Sequence, residues 1–224
     1  GLNISGSDSV AIGALVVRND LGASVQSHVD RAMLVAGDDL LVDAQEATRL
    51  GARTSGVVKS SGGSAIGKGT SLAVGGLVVS NTVRAAAEAR VMASRLDAGD
   101  DLAVSARNDS AIDATLNSVV TSGANAVGIS LAFNALGWDS QNFLLQTVDA
   151  LLGVDTGQEQ PSQAVAEVID TVLVADGDLS VLATNAAQLN ATLSNAATSA
   201  ASALYGASGM AASAVIASNK VSGG

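Results

Sequence analysis

The chain has 224 residues with 24 glycines, 2% aromatic residues, one proline and no cysteine, so neither disulfides nor a core of large aromatic fillers can hold it together. Its formal charge of -10, with the 11 basic residues scattered along the chain, argues against nucleic-acid binding by counterion release. Mean hydropathy is high at +0.38, yet Gly, Ser, Asn or Asp interrupts every apolar stretch before it could span a membrane.

The first element is the apolar run Ala11 to Asn19 (AIGALVVRN). It is small or apolar at both alternating sets of positions, the pattern of a strand covered on both faces. An alternating passage containing His28 follows (SVQSHVDRA). His28 is the sole imidazole, so a Ser-His-Asp type of hydrolase would have to use it, and an exposed strand face is the simpler expectation.

A Gly-Asp step then introduces Asp39 to Ala44 (DLLVDA), where glycine is expected to supply a positive φ and aspartate to bond its own backbone. From Leu40 through Val42, Ala44, Glu46, Thr48, Leu50 and Ala52 the spacing is two, a strand period. Ser61 to Gly63 and Gly67 to Gly69 lack the spacing of a phosphate loop.

These landmarks recur. The apolar run returns at Ala73 to Asn81, Ala126 to Asn134 and, more weakly, Ala211 to Asn219. The Gly-Asp step and strand return at Asp101 to Ala106 and Asp178 to Ala183. Residues 1–224 therefore read as one segment of about three repeats, starting near 11, 73 and 126, with a partial fourth from 211. The fold expected is all-β, a β-solenoid whose neighbours are repeats of the same chain, and the two ends imply that the parent protein continues both ways. The Ala-rich passage Asn185 to Ala203 would suit a helix by propensity alone, but the two-residue period opposes it.

Asn19, Asn81, Asn134 and Asn219 each close an apolar run. If one repeat makes one large coil, they stack as a ladder of side-chain amides. If each repeat makes about three coils of roughly 20 residues, they lie about 14 Å apart and no ladder forms.

The third repeat is 24 residues longer between its two landmarks, and the excess maps to an insertion at 138–163. Asp139 or Ser140 could cap a helix there, with Phe143, Leu144, Thr147, Val148, Leu151 and Leu152 on one face and Gly153 at its end, lying as a lid over a coil edge. Trp138 and Phe143 are the candidate contacts for a glycan, host or neighbouring-cell partner.

No cofactor is required by any of these patterns, and no catalytic set or His/Cys metal spacing occurs. The acidic turns, Asp38 with Asp39, Asp100 with Asp101, and Asp176 with Asp178, could hold Ca²⁺ if stacked, although solvated turn residues are the expected reading and the calcium-binding nonapeptide is absent.

The passages Ala126 to Asp139 (AVGISLAFNALGWD), Ser140 to Gly153 (SQNFLLQTVDALLG), Ala36 to Ala44 and Ala98 to Ala106 resemble giant, repetitive bacterial surface proteins of the filamentous-haemagglutinin-like and leukotoxin-like adhesin kind. The resemblance implies export to the cell surface or medium, a β-solenoid, and a non-enzymatic role in adhesion, aggregation or surface architecture. A structural stalk is the leading expectation. A binding module at the insertion and a self-assembling filament subunit are the alternatives.

Overall fold

The computed structural model describes residues 8–61, 70–139, 141–153, 157–200 and 209–224. It is nearly all β, with one short helix and exclusively parallel pairing between its named strands.

The first repeat contributes β1 (Ser9–Asp30), β2 (Met33–Ala36), β3 (Leu40–Glu46) and β4 (Arg49–Ser60). The second repeats that order as β5 (Ser71–Met92), β6 (Arg95–Ala98), β7 (Leu102–Asn108) and β8 (Ala111–Ser122). The third comprises β9 (Asn125–Leu136), the helix α1 (Phe143–Leu152), β10 (Gln163–Ile169), β11 (Val172–Ala175), β12 (Leu179–Asn185) and β13 (Gln188–Ser199). The fourth is represented by β14 (Met210–Val221).

Each of the first three repeats runs through the same four sheets, the third with its first strand split into β9 and β10. The orders are β1-β5-β9-β14, β2-β6-β11, β3-β7-β12 and β4-β8-β13, with β10 pairing the second half of β5. Asn19 faces Asn81, Asn81 faces Asn134 and Asn134 faces Asn219. Asp43, Ser105 and Leu182 likewise share a row. One repeat therefore runs once past all four sheets, and the alternative of several small coils per repeat is excluded for the described residues.

Within a repeat the chain runs out along one long strand and returns along two shorter ones. β5, with 22 residues, is about 70 Å long at the usual rise per residue. Its inward side chains meet the return strands in four contiguous patches: Ala73 against Val120, Leu77 and Val79 against Leu116, Val83 and Ala85 against Ile112, and Ala87, Ala89 and Val91 against Leu102, Val104 and Ala106. Small residues dominate because two flat layers meet closely. A Cβ on Gly75 would lie 2.5 Å from Val120 Cγ2, so one layer presents bare backbone where the other presents valine.

The alternation that runs from Leu102 to Ala114 is kept, since Leu102, Val104, Ala106, Asn108, Ser110 and Ile112 are all buried. It passes through a corner at Asp109 and Ser110 that divides what reads in sequence as one strand into β7 and β8. The Ala-rich passage is strand as far as Ser199, and residues beyond Ala200 up to 208 lie outside the described set, as do 62–69 with the Gly-Lys-Gly step.

Two expectations about the turns are corrected. The glycines of the Gly-Asp steps do not adopt positive φ; that conformation belongs to Arg31, Ala93 and Asp170, with φ of 46°, 46° and 47°, one at the same place in each repeat. Gly99 is needed for closeness instead, because a Cβ there would sit 2.6 Å from the carbonyl oxygen of Gly37. Nor do the aspartates bond their own backbone: Asp101 N–H donates to Asp39 Oδ1 at 3.2 Å and Asp178 N–H to Asp101 Oδ1 at 2.7 Å, so they tie successive repeats together.

The apolar runs are also not covered on both faces by this chain. On the outer face of β1, Val10, Ile12 and Val16 are 65%, 76% and 62% exposed. The helical lid extends over only part of that face.

Candidate functional site

The four asparagines form a continuous ladder. Asn19 Nδ2 donates to Asn81 Oδ1 at 2.8 Å, Asn81 Nδ2 to Asn134 Oδ1 at 2.8 Å, and Asn134 Nδ2 to Asn219 Oδ1 at 2.9 Å. Asn81 is 1% exposed, and both its amide groups are satisfied by residues from neighbouring repeats. Such a ladder fixes register, because a slip by one residue would bury unpaired amides.

A second polar row lines the corner of the return strands. Asn108 Nδ2 donates to Ser162 Oγ at 2.8 Å, Ser110 Oγ lies 3.1 Å from the same hydroxyl, and Asn185 Nδ2 donates to the Ser162 carbonyl oxygen at 2.6 Å. Ser162 is the point where the insertion rejoins the sheets. Its exit is Gly137, at φ 75°, where a Cβ would lie 2.7 Å from Ser162 N. Neither hinge residue stands out in the sequence; Gly137 follows the apolar run directly, which is the one signal that could have marked it.

Residues 137–162 occupy the place of Arg84 and Ala85 in the preceding repeat, since Leu136 pairs with Val83 and Gln163 with Ala86. Arg84 clamps the departure point, with Nη2 2.9 Å from Asp20 Oδ1 and Nη1 3.0 Å from Asp139 Oδ1. An open cleft of about 460 Å³ beside it is lined by Ser24, Arg84, Gln160 and Gln163 among others, and its cation is spoken for by those two carboxylates.

The helix is capped by Asn142, whose side chain accepts from Leu144 N at 3.0 Å, rather than by Asp139; Ser140 lies outside the described residues. Gly153 closes it in the left-handed region, as its position implies. The expected apolar stripe exists but faces the other way. Leu144, Val148, Leu151 and Leu152 are exposed, Leu151 to 66%, while Gln146 and Asp149 are buried against the sheet.

What holds α1 down is polar and aromatic. Asp149 Oδ2 pairs with Lys220 Nζ at 3.0 Å, and that ammonium stands 5.2 Å from the centre of the Trp138 ring. Trp138 is only 8% exposed and bridges Glu159 in antiparallel fashion, so its ring anchors the insertion. The side chain of Phe143, the other candidate contact, lies outside the described residues.

His28 is exposed on the outer face of β1, opposite Arg90. Asp38, Asp39 and Asp100 bring carboxylate oxygens within 4.8 Å of one another, all exposed to solvent, and Asp39 already accepts the Asp101 amide. Asp8 makes the same kind of contact at the opposite corner. It accepts from Thr70 N at 2.9 Å and Thr70 Oγ1 at 2.7 Å, and the hydroxyl bond, with the amide second, holds its carboxyl below the usual aspartate range. No helix among the described residues is long and apolar enough to cross a membrane.

No family model, curated protein or solved structure matches the chain.

Proposed function

We propose that the chain is a β-solenoid segment of a large secreted or cell-surface bacterial protein, acting without catalysis as a stalk or filament wall. The observation that carries this reading is the row-by-row register: each of the first three repeats runs through all four sheets in the same order, joined by the same asparagine and aspartate bonds. Each repeat then adds about 4.8 Å of length at constant cross-section, and stiffness comes with it because all four sheets lengthen together.

The resemblance to filamentous-haemagglutinin-like surface proteins adds location, and the acidic exterior opposes nonspecific association.

Duplicating Leu72 to Ala124 in frame tests the architecture, because that 53-residue unit is one register step between β5 and β9. The longer chain should unfold at higher urea and grow by only about 5 Å in scattering. Loss of cooperative unfolding would reject it. Immunolabelling of intact cells tests the location.

A second reading makes the insertion a binding module for a glycan or a neighbouring cell, favoured by the outward apolar face of α1. Removing 138–161, which leaves Gly137 and Ser162 in the place of Arg84 and Ala85, should then abolish binding to cells or glycans while the strands persist. The stalk reading expects binding unchanged.

A further inference from the structure

The inward rows of the return strands are uneven in size. Leu50, Ile112 and Leu189 share one row and Thr54, Leu116 and Leu193 another, and between them runs the row Ala52, Ala114 and Ala191. That alanine row faces the asparagine ladder across the core: Ala52, Ala114 and Ala191 line a cavity of about 50 Å³ together with Asn81, Asn134 and Asn219. Ala114 is only partly buried although strands flank it on both sides, so the cavity admits a water-sized sphere at that point.

The ladder leaves polar capacity on the wall of this cavity. A side-chain amide has two N–H hydrogens and two oxygen lone pairs, and the ladder uses one of each on Asn81 and on Asn134. These two residues are 1% and 4% exposed, and among the described residues no acceptor takes the second hydrogen of either. Buried polar groups that the protein itself does not pair are met by ordered water wherever there is room for it.

We propose that the cavity is a binding site for a file of water molecules, one per repeat, each accepting the second amide hydrogen of one asparagine and donating to the unused oxygen lone pair of the next. Room and register agree with this occupant. A buried water takes up about 10–15 Å³ of such space, so the cavity holds about three, and three asparagines and three alanines line it. The middle cell, at Asn81, Asn134 and Ala114, has neighbouring strands on both sides in both layers. An apolar guest would suit a cavity walled by alanine and leucine alone, but one wall here is amide. The file also explains the alanine row itself: a leucine there, as in the row before it, would fill the space and leave the amide hydrogens of the ladder unmet.

The test is rotating-frame Overhauser spectroscopy on the whole chain with 15N-labelled asparagine, where a bound water and simple hydrogen exchange give cross-peaks of opposite sign. Cross-peaks of the bound-water sign are expected from water to the side-chain amides of Asn81 and Asn134. Ala114→Val, whose added methyls take up the middle cell, should lose them while the β circular dichroism of the parent persists. Xenon under pressure should leave these amide shifts unmoved, because the site is already taken by a polar guest. Three results overturn the proposal: no bound-water cross-peak in the unsubstituted chain, xenon-dependent shifts of the two amides, or cross-peaks that a folded Ala114→Val chain keeps in full. If Ala114→Val does not fold, the unsubstituted chain and its response to xenon decide the matter.

Discussion

Asn81 donates its side-chain amide hydrogen to Asn134 at 2.8 Å, across 53 residues of sequence, and accepts one from Asn19, 62 residues before it. The chain therefore reads its own register through side chains as well as through backbone ladders.

That double role predicts a gradient along the ladder. Asn81→Ala leaves a donor on Asn19 and an acceptor on Asn134 without their partner in a buried row, and should cost about 2–3 kcal/mol. Asn219→Ala breaks one bond at the edge of the stack and should cost less than about 1 kcal/mol. Urea unfolding of both variants, with equal m-values, checks the difference.

Closeness at the Gly-Asp turns gives a matched pair. Gly99→Ala drives a methyl against the Gly37 carbonyl and should destabilise by about 2 kcal/mol or more. At Gly37 itself a Cβ meets nothing within 4 Å, so Gly37→Ala should leave the thermal midpoint nearly unchanged. Equal effects would mean that the turns do not stack.

The left-handed residue of each repeat predicts a gain. Ala93 at φ 46° carries a steric cost that glycine would relieve, and Ala93→Gly should stabilise the chain by up to about 1 kcal/mol despite the added freedom of its unfolded state.

The repeat units, the two-residue period, the 24-residue insertion and the helix with its Gly153 end are all legible in the sequence, because each rests on spacing along the chain. What spacing does not carry is the third dimension. Gly99 looks like any turn glycine, and only the stacking order shows that a Cβ there would strike the Gly37 carbonyl of the repeat before it. The apolar stripe of α1 is equally plain in sequence, yet its direction depends on Asp149 finding Lys220, a residue 71 positions away on another repeat.

The same ion pair predicts how the insertion detaches. Asp149→Ala removes the ion pair to Lys220 beside Trp138 and with it a polar hold on α1, which should loosen the helix locally by about 1–3 kcal/mol. Hydrogen exchange should show α1 opening while β5 and β7 keep their protection.

The most direct test of the stacked register uses cysteine pairs, since the native chain has none. Gln26 and Glu88 are partners on neighbouring strands, so their Cα atoms should lie about 4.8 Å apart, within disulfide reach. Gln26→Cys with Glu88→Cys should cross-link readily within one chain under mild oxidation, and Gln26→Cys with Met92→Cys, four residues out of register on the same face, should not. Equal cross-linking of both pairs, or none in either, would contradict the arrangement.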